Sequence, residues 1–151
     1  MSLTWGNFKW GLAYWGGAYM PDMITDRTKD DVINKTPKGF YNFTDLNRVE
    51  SATNFISQSL NNHGYPVRVQ TKTDWTFYDK VNQIQMTRYL GNVKKCVSSF
   101  LDIPGLELPN SMMRINHIGS NNIEIALETT GALINQMVAA FRECGTFYCG
   151  E

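Results

Sequence analysis

The sequence predicts a mainly α protein: a small three-helix bundle with an extended aromatic, glycine-rich N-terminal arm and short extended connections. Three observations carry that prediction. Three segments repeat apolar residues at alternating steps of three and four, the period of one buried helix face. Capping residues and a Gly-x-Pro stop bracket those segments. The first twenty residues hold Trp5, Trp10 and Trp15, three of the four tryptophans, interleaved with glycine. At 151 residues the chain has room for one modest core. The expected organisation is an arm over residues 1–23, a bundle over 24–144 and a tail over 145–151.

Residues 21–26 read as an extended connector. Thr28 followed by Asp30 and Asp31 has the capping hydroxyl and early acids of a short helix, which Thr36-Pro37-Lys38-Gly39 ends. The first long helix is expected over residues 45–60. Leu46, Val49, Thr53, Ile56 and Leu60 form its seam, with Thr44 as cap and Phe43 as a staple residue. Gly64 and Pro66 stop it. Residues 67–73 alternate and are rich in branched side chains, as a short strand or an extended connection would be.

The second long helix is expected over residues 82–101, opened by Asn82 with Gln85 and seamed by Met86, Leu90, Val93, Val97 and Phe100. Residues 103–119 hold two prolines and two glycines and read as a loop. The third helix opens at Asn121, with Glu124 as its capping partner and Ile123, Leu127, Thr130, Ile134, Met137 and Phe141 as its seam. An offset of 40 residues places Leu46 on Met86, Arg48 on Arg88, Val49 on Tyr89 and Ile56 on Cys96. That is either a weak internal repeat or the ordinary likeness of two amphipathic helices.

Composition narrows the function. Fourteen basic residues balance fourteen acidic ones, so the phosphate term that dominates nucleic-acid binding has no source. Only 19% of residues are charged and 13% are aromatic, a balance that leaves apolar surface for assembly. No basic, aliphatic signal segment opens the chain, and no apolar run is long enough to span a membrane. Cys96, Cys144 and Cys149 are an odd set in a chain of this length, which argues against a disulfide framework. Asn34-Lys35-Thr36 and Asn42-Phe43-Thr44 match glycosylation sequons and are read as chance.

The chemistry-bearing residues point to no active site. His63 and His117 have no second ligand at metal spacing, so no metal is expected. Cys96 falls on the apolar side of its helix and behaves as a small hydrophobe. Glu50, Glu124 and Glu128 are the candidate carboxylates for a wall-degrading glycosidase. Glu124 is better read as a cap, and Glu50 and Glu128 as solvated helix faces. No glycine-rich phosphate loop is present. No catalytic residue and no cofactor are expected, and the chain reads as a non-enzyme.

The arm has two readings. In one, its rings pack on their own bundle. In the other, Trp5, Phe8, Trp10, Tyr14, Trp15 and Tyr19 are anchors that fill pockets on another subunit, where tryptophan and tyrosine are enriched. The low charge of the chain favours the second. Trp75, Tyr78, Phe147 and Tyr148 are secondary contact candidates.

Several stretches carry a resemblance. They are Ile24-Thr25-Asp26-Arg27-Thr28, Phe43-Thr44-Asp45-Leu46-Asn47-Arg48-Val49-Glu50, Thr71-Lys72-Thr73-Asp74-Trp75-Thr76, Arg88-Tyr89-Leu90-Gly91-Asn92-Val93, Asn121-Asn122-Ile123-Glu124 and Tyr148-Cys149-Gly150-Glu151. In order and spacing they resemble a small family encoded by phages and prophages of Gram-positive anaerobes. The resemblance implies a virion protein: a structural component of a phage tail, baseplate or fibre attachment, or of a phage-tail-like bacteriocin. It implies synthesis in the host cytoplasm, tail proteins as partners and several copies in a symmetric particle. It supplies no catalytic residues. The alternatives are a receptor-binding module touching a host surface carbohydrate through Trp75 and Tyr78, and a tail assembly chaperone. The short loop over residues 103–119 leaves no room for an added host-binding module.

Overall fold

The computed structural model describes residues 20–144. Four α-helices run in the order α1 (Lys29–Ile33), α2 (Phe43–Asn62), α3 (Gln83–Ser98) and α4 (His117–Cys144), with a 3-10 turn at Pro37–Gly39 between the first two. α2, α3 and α4 pack against one another in all three pairings, and α1 packs on the 3-10 turn. No strand forms among the described residues. The mainly α, three-helix core is as the seams predict, with α1 as a short addition.

The predicted seams become the core. Leu46, Val49, Thr53, Ile56 and Leu60 of α2 are buried, as are Met86, Leu90, Val93 and Val97 of α3. On α4, Ile123, Leu127, Thr130 and Ile134 are buried, Met137 is half-buried and Phe141 is 62% exposed. The α4 seam thus outruns the body of the bundle. Two buried threonines return their hydroxyls to their own helix: Thr53 donates to the Val49 carbonyl and Thr130 to that of Ala126, each at 2.7 Å. This local bond lets a polar residue sit in an apolar seam. Met20 is also in the core and Met23 packs against it, so residues 20–23, assigned to the arm from sequence, lie on the bundle.

Helix boundaries correct the sequence reading in three places. α2 begins at Phe43, and its cap is Asn42, not Thr44. The Asn42 side chain accepts from Thr44 N–H at 2.8 Å, while its own N–H donates to Asp45 Oδ2 at 2.8 Å. Asp45 at the third position completes that reciprocal pair, so the box forms two residues earlier than a Thr44 cap would place it. Phe43 is consequently a helical residue and not a staple. α3 is capped by Asn82 with Gln85, as expected, but ends at Ser98. α4 begins at His117: Asn116 Oδ1 accepts from Gly119 N–H at 2.7 Å, which leaves Asn121 inside the helix with its amide free for another task.

That task is shared by four asparagines. Each holds both backbone polar groups of one residue in an extended segment. Asn121 accepts from Arg27 N–H (3.1 Å) and donates to Arg27 C=O (2.9 Å). Asn61 does the same for Val67 (2.9 and 2.8 Å), Asn92 for Gln70 (3.5 and 2.7 Å) and Asn47 for Trp75 (2.7 and 2.8 Å). A carboxamide carries one acceptor and two donors, so it can replace the neighbouring strand that an extended backbone otherwise needs. Residues 67–75 are therefore an extended connection, not a strand. Helix side chains pin it to the bundle.

Candidate functional site

Two clusters of buried charge organise the bundle. In the first, Glu124 is fully buried on α4. Its carboxylate accepts from Arg48 Nε at 3.0 Å and Nη2 at 2.8 Å, from Arg27 Nη2 at 2.7 Å and from the Ile24 N–H at 2.6 Å. Asp45 completes the group, with Arg27 Nη2 at 2.8 Å and Arg48 Nη2 close by. Two cations meet two anions, and Arg48 grips Glu124 with a two-pronged fork. The Arg27 guanidinium also lies 5.4 Å from the centre of the Tyr41 ring. Tyr41 and Tyr89 share a hydroxyl–hydroxyl bond at 2.5 Å, and burial pushes the acidity of both phenols well away from neutral pH.

The second cluster centres on Glu50 of α2, 2% exposed. Its carboxylate accepts from Arg88 Nη2 at 2.7 Å, from the Trp75 indole N–H at 3.4 Å and from the Lys72 N–H. Burial raises the Glu50 carboxyl above its ordinary range, against the pull of those donors. Arg88 also donates to the Gln70 carbonyl at 2.5 Å. Arg48 and Arg88, aligned by the 40-residue offset, each seize a carboxylate of another helix: Arg48 that of α4, Arg88 that of α2.

These contacts correct two expectations. Glu50 is not on a solvated face, and Glu124 is not a cap; both are buried, with donors on both carboxylate oxygens. The signal was in the spacing. Glu50 is four residues after Leu46 and three before Thr53, and Glu124 follows Ile123 and precedes Leu127 by three, so both fall on their seams. Asp45 is buried in the same way. The 40-residue offset had matched Arg48 with Arg88, but nothing in the sequence matched Arg27, Arg48 or Arg88 with its carboxylate.

The clamp on residues 67–75 presents a turn beyond it. Asp79 Oδ2 accepts from Thr76 N–H (2.7 Å) and hydroxyl (3.1 Å), and Asp79 N–H donates to the Thr76 carbonyl at 3.2 Å. At the tip, Phe77 is 80% and Tyr78 89% exposed, their rings braced edge to face at 5.7 Å. Val81 and Ile84 continue the exposed apolar surface. Beside the tip lies a groove of about 200 Å³ walled by Tyr41, Phe43, Leu46, Trp75, Phe77 and Val81. Two larger hollows, of about 420 and 360 Å³, flank Lys94 on α3.

The sequence-derived contact residues separate accordingly. Trp75 is 3% exposed and belongs to the core, which corrects its reading as a contact ring: Asn47 and Glu50 draw it inward. Tyr78 is on the surface. Trp5, Phe8, Trp10, Tyr14, Trp15, Tyr19, Phe147 and Tyr148 lie outside the described residues. Cys96 is buried and its thiol is pushed up to about 12 by burial. His63 Nδ1 pairs with the Ser59 carbonyl at 2.7 Å. Among the described residues no group of three His, Cys, Asp or Glu side chains could hold a metal ion, and no helix is long and apolar enough to cross a membrane. No family model, curated protein or solved structure matches the chain.

Proposed function

We propose that this chain is a non-enzymatic structural subunit of a phage tail, baseplate or fibre attachment, or of a tail-like particle, joined to its neighbours through its aromatic N-terminal arm. One observation carries the reading: the body spends its ionisable groups on holding itself together and leaves rings on its surface. Buried Arg27 and the half-buried Arg48 and Arg88 are paired with the buried Asp45, Glu50 and Glu124, every carboxylate oxygen of which accepts at least one hydrogen bond. A general acid or base must reach its proton; these cannot. The exposed residues are instead Phe77, Tyr78 and Ile84, the kind that subunit contacts bury. The resemblance of the motifs to tail-associated phage proteins points the same way.

The reading is tested by replacing Trp5, Trp10 and Trp15 with alanine together in the full chain. Quantitative mass spectrometry of purified particles should then show the chain lost from them, while far-UV circular dichroism of the isolated variant matches the parent. Incorporation at the parent copy number would overturn the reading. Absence of the parent chain itself from finished particles would point to an assembly chaperone.

A further inference from the structure

We propose that the groove between residues 41–46 and 75–81 receives the Tyr78 ring of a second copy of this chain, whose own groove receives this chain's Tyr78 in return. The contact is a twofold dimer, separate from the arm and built from described residues alone.

A knob and a hollow adjoin here. Tyr78 is 89% exposed, on the turn that Asp79 ties to Thr76. Phe77 packs edge to face on Tyr78 at 5.7 Å and also walls the groove, so ring and groove share one border. A protrusion beside a depression is what a twofold axis needs. The rotation that seats one copy's protrusion in the other's depression also does the reverse. Both parts are set before contact, because Asn47 holds both backbone polar groups of Trp75 in the groove wall. A prearranged surface loses little freedom when it is covered.

The groove suits a phenol. At about 200 Å³ it is smaller than the roughly 300–1,000 Å³ of small-molecule pockets. Phe43, Leu46 and Val81 give it apolar walls, and Asn42, Thr76 and Asp79 add polar atoms. Tyrosine has the matching division: an apolar body, and a hydroxyl that finds a partner when buried.

Area and charge fit a second copy. With Phe77 80%, Tyr78 89%, Val81 50% and Ile84 82% exposed, each copy has about 500 Å² to cover, counting a whole ring at about 200 Å². The pair then hides about 1,000 Å², the lower bound of a specific interface, so the dimer is reversible. Residues 72–84 carry Lys72, Lys80, Asp74 and Asp79, two of each sign. Lys72 lies 2.9 Å from Asp74 and 3.5 Å from Asp79. Two such neutral faces meet without repulsion, whereas a nucleic acid or an anionic membrane needs a positive one.

The test is sedimentation velocity of the full chain from micromolar to millimolar concentration. The parent, of 17.2 kDa, should shift to two chain masses and no further. Tyr78→Glu loses the knob and Val81→Glu spoils the groove, and each should stay at one chain mass. Both side chains are exposed, and an unchanged thermal midpoint in dilute solution confirms each fold. Tyr78→Phe keeps the ring and should still pair. Trp5→Ala/Trp10→Ala/Trp15→Ala should pair like the parent, because the arm takes no part. A parent that stays at one chain mass, either glutamate variant pairing like the parent, growth beyond two chains, or a tryptophan variant that no longer pairs would each overturn the inference. The docking-arm reading stands or falls separately, on whether the tryptophan variant enters particles.

Discussion

Replacing Glu124 by Gln tests how the bundle is held. The side chain is fully buried and accepts four hydrogen bonds: two from Arg48, one from Arg27 and one from the Ile24 backbone. Glutamine keeps the volume but offers one oxygen, and its amide hydrogens face guanidinium hydrogens. Buried Arg27 and half-buried Arg48 then share Asp45 as their one anion. Removing one partner of a buried pair costs about 3–5 kcal/mol, chiefly because the survivor is left uncompensated. Here two survivors are left, one of them Arg27 with a side chain only 2% exposed, so the upper half of that range is expected. For a chain of this size, about 1 kcal/mol shifts the thermal midpoint by about 2–4 °C, so a loss of about 4–5 kcal/mol should lower it by roughly 8–20 °C. Urea unfolding followed by circular dichroism measures it, with the exposed Asp74→Asn as a control that leaves the midpoint in place. Because Ile24 N–H bonds to Glu124 directly, hydrogen exchange should also speed up over residues 20–27. A loss below about 1 kcal/mol would refute the reasoning, since the network would then be solvated rather than buried.

Other expectations concern the second cluster and the clamp. Trp75→Ala should cost about 3–5 kcal/mol in urea unfolding, whereas Tyr78→Ala should stay within about 0.5 kcal/mol, because one ring is core and the other surface. Asn47→Asp keeps the acceptor for Trp75 N–H and removes the donor to its carbonyl, so a loss of about 1–3 kcal/mol is expected by the same measurement. Glu50 has a raised folded-state carboxyl, so the folded state binds its proton more tightly than the unfolded chain does. Its contribution is complete below the unfolded value near 4.5 and fades as pH rises through the higher folded value. The urea midpoint of the parent, relative to Glu50→Gln, should therefore decline with rising pH over that window; a flat difference would contradict the burial of the charge. Cys96 should resist iodoacetamide in the native chain at neutral pH and react in urea, read by mass spectrometry of its peptide.

Much of the fold was legible because helix seams are local. Leu46 through Leu60 and Met86 through Val97 are periodic in the chain and buried in the structure for the same reason. Caps were legible where the reciprocal residue was unambiguous, as at Asn82 and Gln85, and misplaced where two capping residues compete, as at Asn42 and Thr44. The charge clusters were less legible because their partners are far apart in sequence: Arg27 and Glu124 are separated by 97 residues, and Arg88 and Glu50 by 38. A glutamate on a seam shows that a partner is required, but not which arginine supplies it. The asparagine clamps were not legible at all. Asn47, Asn61, Asn92 and Asn121 are unremarkable helix residues until an extended segment passes beside them. Trp75 was misread for the same reason: its burial depends on Asn47 and Glu50, more than twenty residues away. The exposure of Tyr78, one turn beyond the clamp, follows from that same anchoring.

The most direct measurement places a photo-reactive benzoylphenylalanine at Trp10 in particles assembled from equal amounts of heavy- and light-isotope chain. After irradiation, cross-linked peptides are identified by mass spectrometry. Docking between subunits predicts that residues 1–19 are joined to another tail protein, or to another copy of this chain in heavy–light pairs as often as in matched ones. Cross-links confined to a chain's own body, always of matched isotope, would contradict it.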